Sequence, residues 1–198
     1  MIPTDDKVNA APVTVVRSVQ RQCARRVLRW AEHVLAGIGL CFLVYHLCFE
    51  VTVMTTDSMA PALRGTSYEN GDRILVEKVT SRLRAPRRWE IYFFYNEEGT
   101  AVAKRIVGLP GEKISIKDKR VCINGAPIDI PGPLKDRKYY PFGNLSTGRE
   151  VDCGPGYYVL GDDSRDSYDS RFVGPIKRDQ LRGRVWCILY PFSRFSFL

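Results

Sequence analysis

Two residues of this sequence, Ser58 and Lys104, could together activate a hydroxyl nucleophile. Both histidines, His33 and His46, lie within the first 46 residues, so a catalytic domain formed by the rest of the chain holds no histidine. That excludes a Ser-His-Asp triad, a Cys-His pair and a histidine-ligated zinc site in such a domain. A nucleophilic serine then needs another base, and a lysine suits this role if burial keeps its amine uncharged.

Each of the two residues lies in a short segment of distinctive composition. Ser58 belongs to TTDSMAPAL, residues 55–63, and Lys104 interrupts the apolar run of AKRIVGLPG, residues 103–111. Taken alone, each has an ordinary interpretation, because most serines lie in turns and most strand lysines point to solvent. A third polar segment, GDDSRDSYDSR, covers residues 161–171.

In this order, behind an apolar segment, the three segments resemble those of the type I signal peptidase family, which read S-M-x-P-T-L, K-R-x-x-G-x-P-G and G-D-N…S-x-D-S-R. A companion Gly-Asp segment is also present, beginning at Gly71 and Asp72. The resemblance extends from about residue 34 to residue 190. It implies a serine endopeptidase in which Ser58 is the nucleophile and Lys104 is the general base, with no cofactor and no metal.

The resemblance also implies roles for residues around this pair. It places the oxyanion hole at the backbone N–H of Ser58 and the hydroxyl of Thr56, where charge develops on the scissile carbonyl. Ser167 would hydrogen-bond and orient the lysine. Asp169 and Arg171 would form an ion pair that braces the site.

The implied substrates are preproteins with small side chains at the −1 and −3 positions. We expect the substrate to lie extended along the strand that contains Lys104, as an added strand. Met54 and Ala103 flank the Ser/Lys pair in the sequence, and they are the candidate walls of a shallow apolar pocket for the small side chains.

Four residues depart from the family pattern. Ala62 replaces a common threonine, and Asp163 and Ser164 replace the usual Asn-Arg. Asp57 stands immediately before the nucleophile, where a small residue is usual. Because an inward-pointing carboxylate would favour a protonated lysine, we expect Asp57 to point outward to solvent.

The apolar segment predicts one membrane-spanning helix over residues 34–54, and the apolar run inside it is VLAGIGLCFLVYHLCF. A buried core helix and a cleaved signal sequence are the alternatives. Arginines precede the run, which predicts a cytoplasmic basic tail over residues 1–33 and an exported domain over residues 55–198. The membrane would be a bacterial inner membrane or that of an organelle, and the compact single-anchor layout favours the bacterial case.

The exported part breaks into short β-branched or aromatic runs about ten residues apart, separated by turn residues such as Asn124-Gly125. This spacing predicts a mainly β domain, an antiparallel folded sheet or barrel behind one N-terminal transmembrane helix. The run WEIYFFY, residues 89–95, is nearly continuous, which predicts a strand buried on both faces. Residues 130–152, rich in Pro and Gly, predict a surface excursion.

Composition and charge narrow the remaining functions. The formal net charge is +8, but its excess is spread along the chain and follows no nucleic-acid-binding motif, so we expect membrane lipid and no nucleic acid as a partner. The cysteines of the exported part contain no C-x-x-C pattern, which argues against a zinc site. Two alternatives to a general signal peptidase stay open: a specialised peptidase with few substrates (pilin, conjugation or organelle type), and an inactive relative that binds signal peptides.

Overall fold

The computed structural model describes the backbone of residues 13–96 and 98–198 and, apart from residue 147, the side chains from residue 25 onward. The chain divides into two compact units, the first ending at His46 and the second running from Leu47 to Leu198. The first twelve residues of the predicted tail lie outside the described residues.

One long helix, α1 (Val13–Cys48), begins the described chain. Its section Arg25–Cys48 is long and apolar enough to cross a membrane, and the side chains of residues 25–47 are exposed. At about 1.5 Å per residue the section extends about 36 Å, more than the roughly 30 Å of a hydrocarbon core. The helix ends at Cys48, whereas the sequence predicts helix to residue 54.

Residues 49–53 form a strand, β1 (Phe49–Val53), instead of the last turns of that helix. This strand pairs antiparallel with β2 (Arg73–Glu77), from Phe49 opposite Glu77 to Val53 opposite Arg73. The consecutive β-branched residues Val51, Thr52 and Val53 suit a β-strand, and backbone hydrogen bonds to a partner strand distant in sequence stabilise it. A prediction from apolar composition alone does not take the partner strand into account, which is why the predicted helix is too long.

The second unit consists mainly of antiparallel strands, as predicted. After β2 they are β3 (Ile91–Tyr95), β4 (Ala101–Gly108), β5 (Lys113–Lys117), β6 (Arg120–Ile123), β7 (Ala126–Pro127), β8 (Val151–Asp152), β9 (Tyr158–Leu160), β10 (Leu181–Tyr190) and β11 (Ser196–Phe197). The larger sheet has the order β1-β2-β10-β3-β4-β9, with β11 beside β10, and the smaller sheet has the order β7-β6-β5-β8. The predicted mainly β fold class is confirmed.

Short helices connect these strands. They are α2 (Val79–Leu83), α3 (Ser170–Val173) and four 3₁₀ helices (Gly132–Leu134, Gly143–Gly148, Arg178–Gln180 and Phe192–Arg194). Two of the 3₁₀ helices lie in the predicted excursion, residues 130–152. This segment is anchored by three buried side chains, those of Leu134, Tyr139 and Leu145, so it is more closely packed than a surface loop.

The strand β3 is buried on both faces, as its continuous apolar run predicts. Phe93 belongs to a core cluster with Met54 and Ala103, while Tyr92 and Phe94 belong to a different cluster on the other face. Side chains of consecutive strand residues point to opposite faces, so a strand between two cores needs apolar residues at every position. This arrangement places the neighbouring strand β4 in the interior.

Three cysteines of the second unit, Cys122, Cys153 and Cys187, are free and buried. Burial raises the pKa of the Cys153 thiol to about 12. At neutral pH this thiol is therefore protonated, which makes it a poor nucleophile.

Gly71→Ala should destabilise the second unit by about 3 kcal/mol, because overpacking a closed site costs that order of energy. A Cβ atom on Gly71 would lie 1.7 Å from the backbone oxygen of Met54, so the two segments would have to separate. The measurement is thermal unfolding in detergent. Thr66→Ala, at an exposed position of the same loop, is the control and should change stability by less than about 0.5 kcal/mol. Equal stability of both variants would contradict the predicted close packing.

Candidate active site

The turn that carries Ser58 follows β1 and is held by apolar side chains. Met59 and Leu63 are fully buried in the core cluster that also contains Met54. The N–H of Leu63 donates to the carbonyl of Met59 at 2.9 Å, which closes the turn. Ser58 itself is buried, with 7% of its surface exposed. Its hydroxyl is therefore held at a fixed place rather than on a mobile loop.

Lys104 comes from β4 and meets Ser58 in the interior. Its side chain is 3% exposed, and its Nζ lies 2.5 Å from the Oγ of Ser58. Burial lowers the pKa of Lys104 to about 8, and the nearby carboxylate of Asp169 acts in the opposite direction. The effect of burial on the pKa is larger than that of Asp169, because the loss of hydration destabilises the ammonium form more than this carboxylate stabilises it.

This pair has the geometry of a nucleophile and its base. With a pKa of about 8, an appreciable fraction of Lys104 is uncharged near neutral pH, and an uncharged amine can accept the hydroxyl proton of Ser58. An unperturbed lysine, with a pKa near 10.5, would rarely be free to do so. The site can therefore support acyl transfer without a histidine.

Thr56, the predicted oxyanion-hole residue, lies beside the nucleophile. Its Oγ1 is 3.2 Å from the Oγ of Ser58, and either hydroxyl can donate in this contact. Thr56 is exposed, so its hydroxyl is accessible from the open side of the site. The structure thus brings the predicted donor, Thr56, beside the predicted nucleophile, Ser58.

Asp57 is half-buried rather than fully directed to solvent. Its Oδ1 accepts the backbone N–H of Gly65 at 2.9 Å. The carboxylate therefore caps the loop that follows the Ser58 turn. The outward orientation expected from the sequence is replaced by this local hydrogen bond.

The third sequence segment, residues 161–171, forms a loop that we name the polar loop. It lies directly against the Ser58 turn, because the N–H of Asp163 donates to the carbonyl of Ser58 at 3.1 Å. Gly161 makes this approach possible, since a Cβ atom there would lie 2.5 Å from the same carbonyl and 2.2 Å from the Oγ of Ser167. The polar loop and the nucleophile are thus in contact through backbone atoms.

Asp169 and Arg171 form a fully buried ion pair inside the polar loop. Both side chains are completely inaccessible to solvent, and the guanidinium contacts both carboxylate oxygens at 2.8 and 2.9 Å. Asp169 also accepts the backbone N–H of Gly161 at 2.9 Å. A buried ion pair persists only when its remaining hydrogen-bonding atoms find partners, and this one is densely partnered.

Ser167, the predicted lysine-orienting residue, binds a different group in this structure. Its hydroxyl donates to the Oδ2 of Asp169 at 2.8 Å. Among the described residues, the hydrogen bond of the Lys104 amine is to Ser58. Ser167 is therefore a partner of Asp169, and it is the Asp169 carboxylate that raises the pKa of Lys104 against the effect of burial.

Two further sets of contacts, which the sequence did not predict, connect the segments around Ser58 and Lys104. Arg105, next to Lys104, forms a two-pronged ion pair with Asp162, with both distances 2.6 Å. Ser164 accepts the N–H of Tyr140 at 2.9 Å and the Nη1 of Arg171 at 2.9 Å. Arg105 lies in the segment of residues 103–111 and Asp162 in that of residues 161–171. Their closeness in sequence to the predicted site residues is a signal from which a role could have been inferred. Tyr140 lies in the excursion and carries no such signal.

A cleft of about 340 Å³ opens at the Ser/Lys pair. Met54 and Ala103, the predicted pocket walls, both line this cleft. Its other lining residues come from three places, β1 and the Ser58 turn, β3 and β4 with the loop between them, and the polar loop: Thr52, Val53, Thr55, Thr56, Ser58, Phe93, Asn96, Thr100, Ala101, Val102, Lys104, Asp166 and Tyr168.

Comparison with known proteins gives consistent matches. The sequence profile of the family described as "Signal peptidase, peptidase S26" matches residues 27–190. A signal peptidase I of Leptolyngbya laminosa is 32% identical over 161 residues, which cover 75% of this chain and 72% of that protein. Signal peptidase I S of Bacillus subtilis (strain 168) is 30% identical over 179 residues, 85% of this chain and 92% of that protein.

Among solved structures, a signal peptidase I from Enterococcus faecalis V583 matches with a TM-score of 0.42 and 29% sequence identity. It aligns with 52% of this chain and 97% of its own.

Lys104→Met should raise stability by about 3 kcal/mol at pH 7, because the folded protein then no longer holds a charged amine in its interior. The folded-state pKa of about 8 lies below the ordinary 10.5, so the penalty is complete below pH 8 and disappears above 10.5. The gain in melting temperature should therefore shrink as the pH rises from 7 to 10. Lys117→Met, at an exposed strand end, is the control and should show no such trend. A gain that does not vary with pH would contradict the lowered pKa.

Proposed function

The chain belongs to the signal peptidase family, peptidase S26, and we propose that it is a membrane-anchored serine endopeptidase that removes N-terminal signal peptides from exported preproteins. The related signal peptidases I support a serine endopeptidase. The observation that carries the finer proposal is the buried contact of 2.5 Å between the Nζ of Lys104 and the Oγ of Ser58.

In the proposed reaction Ser58 attacks the scissile carbonyl while uncharged Lys104 takes its hydroxyl proton. The oxyanion that forms is stabilised by the N–H of Ser58 and the hydroxyl of Thr56. Lys104 then gives the proton to the leaving amine, which becomes the new N-terminus of the mature protein. In the second half Lys104 takes a proton from a water molecule, and the resulting hydroxide attacks the carbonyl carbon of the Ser58 ester. As the bond to the Oγ of Ser58 breaks, Lys104 returns the proton to that oxygen, and the signal peptide leaves with a new C-terminal carboxylate.

The substrate binds as an extended strand along β4. The strand β9 pairs with β4 from Arg105 onward, whereas residues 101–104 pair with β3 on one side and line the cleft on the other. This leaves a β-edge next to the nucleophile that can hydrogen-bond a peptide backbone. Met54, Phe93 and Ala103 are buried walls of the same cleft, and they favour small side chains at the −1 and −3 positions.

The section Arg25–Cys48 of α1 anchors the enzyme as a single-pass membrane protein. Arginines at positions 25, 26 and 29 mark its N-terminal end, and basic residues concentrate on the cytoplasmic side of membrane helices. The N-terminus is therefore cytoplasmic, and the second unit lies on the outer side of a bacterial inner membrane, where exported preproteins emerge.

Lipid also contacts the second unit through a row of aromatic side chains. Phe49 follows the anchor helix directly and stacks on Trp186, with ring centroids 6.0 Å apart. Trp186 contacts Phe197 at 5.6 Å, and Phe197 contacts Phe195 at 5.6 Å. Phe195 and Phe197 are more than half exposed, and aromatic rings favour the interface between lipid and water.

Wild-type protein in detergent should cleave a preprotein after its Ala-x-Ala site, and Ser58→Ala and Lys104→Ala should each lower the rate at least about 1000-fold. Because Lys104 must be uncharged, the rate should rise about tenfold per pH unit below pH 8 and level off above it. Sequencing of the new N-terminus identifies the cleaved bond. Retention of full activity by Lys104→Ala would contradict the proposed base, and an inert wild type would contradict the proposed function.

The double variant Phe195→Ser with Phe197→Ser should lose activity roughly fivefold in liposomes and keep it in detergent, since the apolar contact with lipid is removed. The measurement compares initial rates on one preprotein in the two environments. Tyr68→Ser, which removes an exposed aromatic ring elsewhere, is the control and should leave both rates unchanged. Equal losses in liposomes and detergent would point to a structural role of the two rings instead.

A further inference from the structure

The cleft at Ser58 has two charged side chains among its lining residues, Lys104 and Asp166. Lys104 is committed to the nucleophile, whereas Asp166 lies on the polar loop and is exposed. Among the hydrogen bonds and ion pairs of the described residues, none involves the Asp166 carboxylate. A negative charge thus lines the cleft without a hydrogen-bond or ion-pair partner among the described residues.

Asp166 is accompanied by an aromatic ring. Tyr168 also lines the cleft, is 70% exposed, and stacks on Phe172 with ring centroids 5.3 Å apart. The stacking gives this ring a defined orientation at the cleft rim. A carboxylate and an exposed aromatic ring in one cleft can together attract a cationic side chain, through Coulomb attraction and through a cation–π contact.

The segments that line the cleft differ in chemistry. The walls contributed by β1, β3 and β4 are apolar and buried at Met54, Phe93 and Ala103, whereas the polar loop contributes Asp166 and Tyr168. In the proposed reaction the small residues before the cleaved bond occupy the apolar part. Lys104 must also reach the leaving amine, and Asp166 lines the same cleft as Lys104, so the chain after the cleaved bond passes within range of the charge of Asp166.

We infer that Asp166, with Tyr168, is a specificity-determining residue that favours substrates with lysine or arginine at the first positions after the cleaved bond. This inference rests on the proposed function and specifies the substrates of the same site. Small residues before the bond are selected by the shape of the apolar walls, and cationic residues after it are selected by charge.

The test uses full-length protein in detergent and internally quenched peptides that share one Ala-x-Ala site. The peptides differ in carrying Lys, Gln or Glu at the first or second position after the cleaved bond, and kcat/KM is measured for each. Wild type should prefer Lys over Glu about fivefold at one of these positions at low salt, as a partly exposed charge interaction allows. The preference should weaken at 1 M salt, because screening reduces exposed interactions.

Asp166→Asn should reduce the Lys-to-Glu ratio to about one, and Asp166→Lys should invert it. Asp136→Asn makes the same charge change at an exposed position outside the cleft lining, and it should keep the wild-type ratio. These ratios are independent of how much of each variant is folded, since both peptides are compared on one preparation.

The outcomes separate this inference from the proposed function. Cleavage of every peptide at similar rates by wild type, or a charge preference that survives in Asp166→Asn, would overturn the role of Asp166 and leave the peptidase intact. Cleavage of no peptide by wild type would overturn both. A preference that disappears in Asp166→Asn and inverts in Asp166→Lys would establish the charge selection.

Discussion

The burial of the Lys104 amine against Ser58 is the constraint on which the rest of this structure depends. A lysine acts as a base only when it is uncharged, and burial is what lowers its pKa to about 8. Burial requires that β4 be an interior strand, which follows from its pairing with a β3 that is apolar on both faces. The turn that carries Ser58 closes the remaining side, and it is held there by Met59 and Leu63 in the core.

The same interior contains the buried carboxylate of Asp169, whose negative charge raises the pKa of Lys104. Asp169 opposes the burial effect on Lys104, but its carboxylate is shared among Arg171, Ser167 and the N–H of Gly161. Arg171 is partnered in turn by the carbonyl of Tyr140 at 3.0 Å, which ties the excursion to the polar loop. The Asp169 carboxylate, with its many hydrogen bonds, can therefore lie near Lys104 and hold the polar loop in place. The Lys104 amine is still largely deprotonated above pH 8.

Chain order links this site to the proposed anchor. Helix α1 ends at Cys48 and the chain passes directly into β1, so the cleft wall and Ser58 follow within ten residues. A fully extended chain of that length spans at most about 35 Å. The proposed anchor, the cleft wall and Ser58 are therefore consecutive in the chain.

Much of this protein could be predicted from local sequence. The absence of histidine beyond residue 46 predicted a base other than histidine, because the composition of the chain is enough for that inference. The nearly continuous apolar run of residues 89–95 predicted a strand buried on both faces, because that inference depends only on neighbouring residues. Tertiary structure alone decided that residues 49–53 leave the helix to pair with β2, that Ser167 binds Asp169, and that Tyr140 supports Arg171. It also decided the pKa of Lys104, since desolvation comes from residues far away in the chain, including a nucleophile 46 positions earlier. The residue types show which chemistry a side chain is capable of. Only the packing of the folded chain determines how far that side chain is removed from water and which groups it contacts.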